Sequence, residues 1–307
     1  MHTILGANGI IGEGLAKVLH ANYSTDIRIV GRNPLKINET DQLIVADLLD
    51  AAATYHAVAD SEIVYLTVGL PYSSEIFKRD WPIILSNVIA ACAKYQCKLV
   101  YFDNTYMYDQ SQSIQVETSP FAATGIKGIA KAQAANLVLS AISSGQIEGM
   151  ICRAPEFYGP GKTKGITNAL VFSNIKNQKP LNVILRDDTK RTLIYTPDAS
   201  RAMALLGNTA DCYGQTWHLP CDDNRLNYKE FIKVASELYG SKLEHIVLNR
   251  EQLDAAATQG AFIKETVELF PRYEVDNLFD SSKFKERFPQ FEVTTYREGI
   301  ASILAEM

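Results

Sequence analysis

The sequence predicts an α/β protein, a doubly wound parallel sheet followed by a smaller C-terminal α/β part. Three observations predict it. Short apolar runs alternate with amphipathic stretches of helical length over the first half of the chain, which is the rhythm of strand–helix–strand units. The chain opens on a short apolar run that passes straight into three spaced glycines and then into an apolar-periodic helix. The later half loses this rhythm, yet no Pro/Gly/Ser-rich linker and no internal repeat divides the chain. The C-terminal portion is therefore expected to pack on the first domain as a lid.

The first strand, Thr3-Ile4-Leu5, runs into Gly6, Gly9 and Gly12, and the helix that follows carries Leu15, Ala16, Val18 and Leu19 on one face. A strand feeding a glycine turn into a helix N-terminus makes an anion site, because unpaired backbone N–H groups and the positive end of the helix dipole face the ligand. The glycines supply the tight turn, the close approach of backbone to a pyrophosphate and close helix-to-strand packing. Gly6, Asn8, Gly9, Ile10, Ile11 and Gly12 are thus expected around a dinucleotide. The second strand, residues 26–30, ends in Gly31-Arg32-Asn33-Pro34. A carboxylate at this tip selects NAD through the ribose 2′-hydroxyl, whereas an arginine accommodates the 2′-phosphate of NADP. Arg32 and Asn33, with Lys36 near and no acid at the tip, favour NADP, with NAD the other possibility.

A third strand over 43–46 leads to Asp47-Leu48, a helix over 50–59 to a fourth strand over 62–67, and Val68-Gly69 follows at its carboxyl end, where ligands of open sheets collect. A long helix is expected over Pro82 to Tyr95 and a fifth strand over Lys98 to Phe102. The sixth, Ile147 to Arg153, ends in the loop Arg153-Ala-Pro-Glu-Phe-Tyr-Gly-Pro-Gly161. Then come a helix near 167–177, a strand near 181–185, the segment Arg191 to Asp198, a strand at Thr216 to Pro220, a helix over Tyr228 to Tyr239 and a final helix over Thr294 to Leu304. The division this predicts is a dinucleotide domain over 1–155, rejoined near 190–220, with 156–190 and 221–307 as the smaller substrate lid.

Composition narrows the function. A net charge of −5 without a basic block argues against nucleic acid as a partner. No apolar run approaches the roughly 18 residues of a membrane span, and no basic segment precedes an apolar one at the N-terminus. Five cysteines, odd in number and without metal spacing, read as reduced thiols of a cytoplasmic protein. The scattered histidines predict no metal site.

The Gly-x-x-Gly-x-x-Gly spacing, Asp47-Leu48, Asn87, the Arg153 to Gly161 loop, Arg191 with its apolar followers and Trp217-His-Leu-Pro220 fall in one order along the chain. In this the sequence resembles the extended and atypical short-chain dehydrogenase/reductase superfamily, home of nucleotide-sugar epimerases and dehydratases, whose dinucleotide domain is a Rossmann fold. The resemblance implies that Asp47 and Leu48 lie against the adenine ring and that Val68, Gly69, Pro155 and Phe157 line the cofactor. It implies that Arg191, with Arg272 near a second such position, grips a substrate diphosphate, while the Tyr-Gly-Pro-Gly loop with Tyr158 is expected to meet the substrate and roof the nicotinamide. It also implies a homodimer built on the helices carrying Asn87 and Lys131.

The catalytic signature of that superfamily is a tyrosine four residues before a lysine, with a serine or threonine after the fifth strand. The lysine lowers the tyrosine's pKa and holds the nicotinamide ribose. Here Lys131-Ala-Gln-Ala-Ala-Asn-Leu-Val-Leu is similar to the helix that carries the lysine, and Arg153 arrives 22 residues later. In that register Lys131 keeps the cofactor role and Lys127 stands on the tyrosine. A second register sets Phe121 on the tyrosine and Gly125 on the lysine, removing both. Two ammonium groups four apart share a helix face and are expected to lower at least one pKa. A lysine so tuned could give or take a proton. Asn104 falls where the serine or threonine sits, and Tyr106 where dehydratases hold an acid, making it a second candidate proton donor.

The expected function is an NADP-dependent oxidoreductase or epimerase acting on a small carbonyl or nucleotide-sugar-like substrate. The other reading is a regulator that kept the dinucleotide site and lost the chemistry, as in the transcription-regulator branch of the superfamily.

Overall fold

In a computed structural model, which describes residues 1–109 and 114–307, the chain falls into two compact units. The strands are β1 (His2–Leu5), β2 (Ile27–Gly31), β3 (Gln42–Val45), β4 (Ile63–Leu66), β5 (Lys98–Asp103), β6 (Gly149–Arg153), β7 (Glu156–Tyr158), β8 (Leu181–Ile184), β9 (Leu193–Tyr195), β10 (Thr216–His218) and β11 (His245–Leu248). The helices used below are α1 (Ile10–Asn22), α2 (Ala51–Val58), α3 (Ser74–Tyr95), α4 (Ile126–Ser143), α5 (Ser173–Lys176), α6 (Thr196–Gly207) and α7 (Tyr228–Tyr239).

The first unit comprises residues 1–107, 126–154 and 199–219. Its sheet has the order β10-β6-β5-β4-β1-β2-β3, and every pairing is parallel. The chain steps outward from β1 to β3, then returns past β1 to β4 and continues the other way, which is the doubly wound Rossmann arrangement. β1 and β4 are buried along their whole length, as strands covered by helices on both faces must be. The reversal between β1 and β4 brings the loops after β1, β2, β3 and β4 to one edge of the sheet.

Helix α3 starts eight residues before the proline at which the sequence predicts it to begin, with Pro82 inside it. Proline removes one helical hydrogen bond, but Phe77, Trp81, Ile84, Leu85 and Val88 form one buried stripe across it. Burial of that stripe outweighs the local cost. Helix α2 begins where Asp50 caps it by accepting from the Ala53 N–H. Helix α4 packs along α3, and its Ala130, Ala134, Ala135 and Val138 are buried.

The second unit comprises 108–125, 155–198 and 220–307. Two short parallel pairs, β7 with β9 and β8 with β11, surround a core in which Phe172, Phe231 and Tyr296 pack together. The helix expected near 167–177 is a π-helical turn, Asn168–Phe172, running into the short α5. Helix α7 and the C-terminal helix Tyr296–Ala305 each start on a reciprocal capping box, Asn227 with Glu230 and Thr295 with Glu298. Among the described residues no helix is long and apolar enough to cross a membrane. The five cysteines are buried and unbridged.

Candidate active site

The glycine turn is built by two glycines the fold requires and one it leaves open. Gly6 has φ +93°, and a Cβ there would stand 2.5 Å from the Val68 Cα. A Cβ on Gly12 would stand 2.6 Å from the Ala7 Cα and 2.8 Å from the Thr67 hydroxyl. Gly9 differs. It is the N-cap of α1, and a Cβ there would meet nothing nearer than the Gly6 carbonyl at 3.5 Å. The space over the first turn of α1 is therefore clear, with backbone N–H groups and the positive helix end toward it, as a pyrophosphate requires. Ile10 and Ile11 open the helix, and the Ser200 hydroxyl donates to the Ile11 carbonyl at 3.0 Å.

Around this turn the loops after β2, β3 and β4 bring expected cofactor residues of the first unit to one sheet edge. Asn8 donates through Nδ2 to the Asn33 carbonyl at 2.5 Å, and its Oδ1 accepts from the Leu35 N–H at 3.4 Å. Asn8 thus ties the glycine turn to the tip of β2, where Arg32 and Asn33 are exposed. Asp47 is exposed and Leu48 buried after β3, and Asn87 of α3 donates to the Leu48 carbonyl at 2.9 Å. Val68 is half-buried and Gly69 exposed after β4. Pro155 and Phe157 belong to the second unit, Pro155 buried and Phe157 half-buried on β7.

The two lysines of α4 serve different surroundings. Lys131 is 1% exposed. Its Nζ lies 2.7 Å from Asp103 Oδ1, donates to the Tyr101 hydroxyl and sits 3.8 Å from the centre of the Trp81 ring. Arg153 Nε reaches the other oxygen of Asp103 at 3.4 Å. Burial lowers the Lys131 pKa, Asp103 opposes that, and Arg153 adds to it. The expectation that the neighbouring lysine would do the lowering is thereby corrected, since the dominant cause is desolvation.

Lys127 has no accessible surface. Its Nζ donates to the Ser74 hydroxyl at 2.9 Å and lies 4.8 Å from the centre of the Tyr72 ring. Ser74 is half-buried and is the first residue of α3. Tyr106 is half-buried and meets Tyr72 edge-to-face at 6.5 Å. Asn104 uses its Oδ1 to accept from the Tyr106 N–H at 3.0 Å, so its amide shapes the turn after β5. The loops after β4 and β5, neighbours in the sheet, thus bring Tyr72, Ser74, Lys127, Asn104 and Tyr106 into one region.

The expected substrate residues lie in the second unit. Tyr158 is 1% exposed and packs between Tyr195, Phe231 and Tyr296 with ring centres 5.4 to 5.8 Å away. Its sequence neighbour in the Tyr-Gly-Pro-Gly loop gave no sign of this aromatic core. Arg191 and Glu156 form an ion pair at 3.0 Å, with side chains 3% and 8% exposed. Arg272 is buried and donates to Asn277 Oδ1 at 3.3 Å.

Sequence reasoning missed Asp103, Ser74 and Glu156. The first had a signal: a lysine buried on α4 demands a carboxylate, and Asp103 closes a strand that is apolar from Leu99 to Phe102. Ser74 was hidden by the proline that displaced the expected helix start.

Residues 2–216 match the NAD dependent epimerase/dehydratase family. No curated protein sequence matches the chain. Among solved structures, UDP-glucuronic acid 4-epimerase from Bacillus cereus in complex with UDP-glucuronic acid and NAD is similar, with TM-score 0.81, 16% identity and coverage of 99% of this chain and 98% of that one. The Bordetella bronchiseptica enzyme WbmH in complex with NAD+ gives TM-score 0.74 at 18% identity, covering 99% and 97%. DesIV, a dTDP-glucose 4,6-dehydratase from Streptomyces venezuelae, gives 0.78 at 13%, covering 99% and 96%.

Proposed function

The chain belongs to the NAD dependent epimerase/dehydratase family, a family of enzymes, and from that premise we propose that it binds NADP(H) and acts as an oxidoreductase or epimerase on a small carbonyl or sugar-like substrate. The observation that carries this reading is the clear space at Gly9 over the N-terminus of α1, beside an exposed Arg32 at the tip of β2. Gly6, Gly9 and Gly12 would hold the pyrophosphate, and Arg32 the 2′-phosphate. Asp47 and Leu48 would meet the adenine and Val68 and Gly69 the inner ribose. When bound, the nicotinamide supplies or accepts a hydride.

The proton is the chain's own task. Lys127 has no surface from which to touch a substrate, so its proton would leave through Ser74. A lysine donating to the serine oxygen turns the hydroxyl hydrogen away from itself and makes it a better donor to a developing alkoxide. Tyr106 and Asn104 flank that position as further polar groups. Lys131, committed to Asp103, holds the end of β5 in place. A homodimer on α3 and α4 fits the exposed Ile83, Ile129 and Leu137 on those two helices.

The test is calorimetry of NADPH and NADH with the purified chain, followed by NADPH consumption with a panel of aldehydes, ketones and nucleotide sugars. Tighter uptake of NADPH and turnover of one panel member are expected. Failure to take up either coenzyme would sink the reading, and uptake without any turnover would favour the regulatory role.

A further inference from the structure

Helix α3 ends on a turn that folds one cysteine back onto another. Gln96, which closes the helix, has φ +53°, the left-handed conformation common at helix ends. The N–H groups of Gln96 and Cys97 both donate to the Cys92 carbonyl, the second at 3.2 Å. A bond from Cys97 to Cys92 across a left-handed residue is the Schellman closure, in which the side chains at the two ends meet. Ordinary backbone lengths then keep the two Cα atoms within about 7 Å, the limit beyond which cysteines cannot be bridged.

The thiols meet accordingly. Cys97 Sγ donates to the Cys92 carbonyl at 3.9 Å, and the Cys92 and Cys97 side chains are hydrogen-bonded to each other. That bond pushes the Cys92 thiol up, with burial adding to it, and brings the Cys97 thiol down against burial. Burial instead pushes the Cys152 and Cys221 thiols up. Cys97 is thus set as the attacking sulfur and Cys92 as its partner. Both are buried, but Gln96 beside them is exposed, and opening of the last helical turn is enough to admit a small oxidant.

We propose that Cys92 and Cys97 are a redox-active dithiol, which hydrogen peroxide converts to an intramolecular disulfide across the end of α3. The Cys97 thiolate attacks one peroxide oxygen and the O–O bond breaks. Cys97 becomes a sulfenic acid, and the departing hydroxide takes up the proton that the thiol had released, giving water. The Cys92 sulfur then attacks the Cys97 sulfur, the S–S bond forms, the S–O bond breaks, and a second water leaves with the Cys92 proton. Two electrons pass from the two sulfurs to the peroxide, and a dithiol reductant returns them. The Cys92 carbonyl keeps both backbone donors throughout, so the helix end survives oxidation. The pair needs no coenzyme, and its chemistry is tested apart from coenzyme binding.

The experiment treats the folded chain with hydrogen peroxide, alkylates the remaining thiols in denaturant and digests with trypsin. Lys94 lies between the two cysteines, so cleavage after it leaves the disulfide as the link between two peptides. Two of the five thiols should be lost, with the peptide ending at Lys94 joined to Tyr95–Lys98, and dithiothreitol should restore both. This link should form at least about tenfold faster than any involving Cys152, Cys212 or Cys221. Cys92→Ser should strand Cys97 as a sulfenic acid that dimedone labels, and Cys97→Ser should leave Cys92 unlabelled. Retention of all five thiols by the wild type, or a faster link elsewhere, would overturn the proposal. Dimedone on Cys92 in the Cys97→Ser chain would overturn the assignment of Cys97 as the attacking sulfur.

Discussion

The ammonium of Lys127 donates to the hydroxyl of Ser74 across 2.9 Å, from a side chain with no accessible surface. On the proposed proton route, Ser74 relays the proton of a lysine that is itself buried. Ser74→Ala should therefore lower turnover by about a hundredfold or more, the usual worth of a positioned proton donor. NADPH affinity should stay within about twofold, since the glycine turn follows β1 whereas Ser74 opens α3. Ser74→Thr, which restores a hydroxyl, should recover much of the rate. Equal activity of the alanine and threonine variants would remove Ser74 from the proton route.

The three glycines should separate by role. Gly6→Ala puts a Cβ 2.5 Å from the Val68 backbone at φ +93° and should destabilise the chain. Gly9→Ala places its methyl in clear space and should leave the melting temperature unchanged. It should nevertheless weaken coenzyme binding, because the methyl occupies the room a pyrophosphate needs. Thermal melts with NADPH titrations on both variants check this.

Arg32→Ala should reduce NADPH affinity by tenfold or more and leave NADH nearly unaffected, since a charge-assisted contact to phosphate is worth roughly 1.5–3 kcal/mol. Equal losses for both coenzymes would assign Arg32 a general role and not a phosphate-selecting one.

Lys131→Met leaves Asp103 with its lysine partner gone and should cost about 3–5 kcal/mol of stability in chemical denaturation. The double variant with Asp103→Asn should recover part of that loss, because the two groups act as a pair. Additive losses would contradict the pairing.

Glu156 also has a pH signature. Its carboxyl lies below the ordinary 4.5 in the folded chain, with the two arginines overcoming burial. A group depressed by folding contributes stability that is full above its unfolded pKa and is lost as pH falls through the folded one. The window lies below about pH 4.5. Denaturation curves compared between about pH 6 and pH 3 should show the wild type losing more stability than Glu156→Gln.

Much of the first unit's architecture was legible in the amino-acid order because it is local. Thr3 to Leu5, the glycine triplet and the apolar face of α1 follow one another within a single strand–turn–helix unit, where spacing alone fixes the turn and the helix start. Arg32 could be assigned to the tip of β2 for the same reason, since a strand end is read from where an apolar run stops. What the order of residues could not settle was the state of each charge. Lys127 and Lys131 share one helix face in the sequence, and Arg191 reads there as a cation free to grip a substrate diphosphate. Only the folding of distant stretches onto them decides that Asp103 neutralises one lysine, that Ser74 meets the other and that Glu156 takes the arginine. Burial and pairing are long-range properties, because the partner of a buried charge comes from wherever the chain returns, and nothing in the neighbouring sequence records that return.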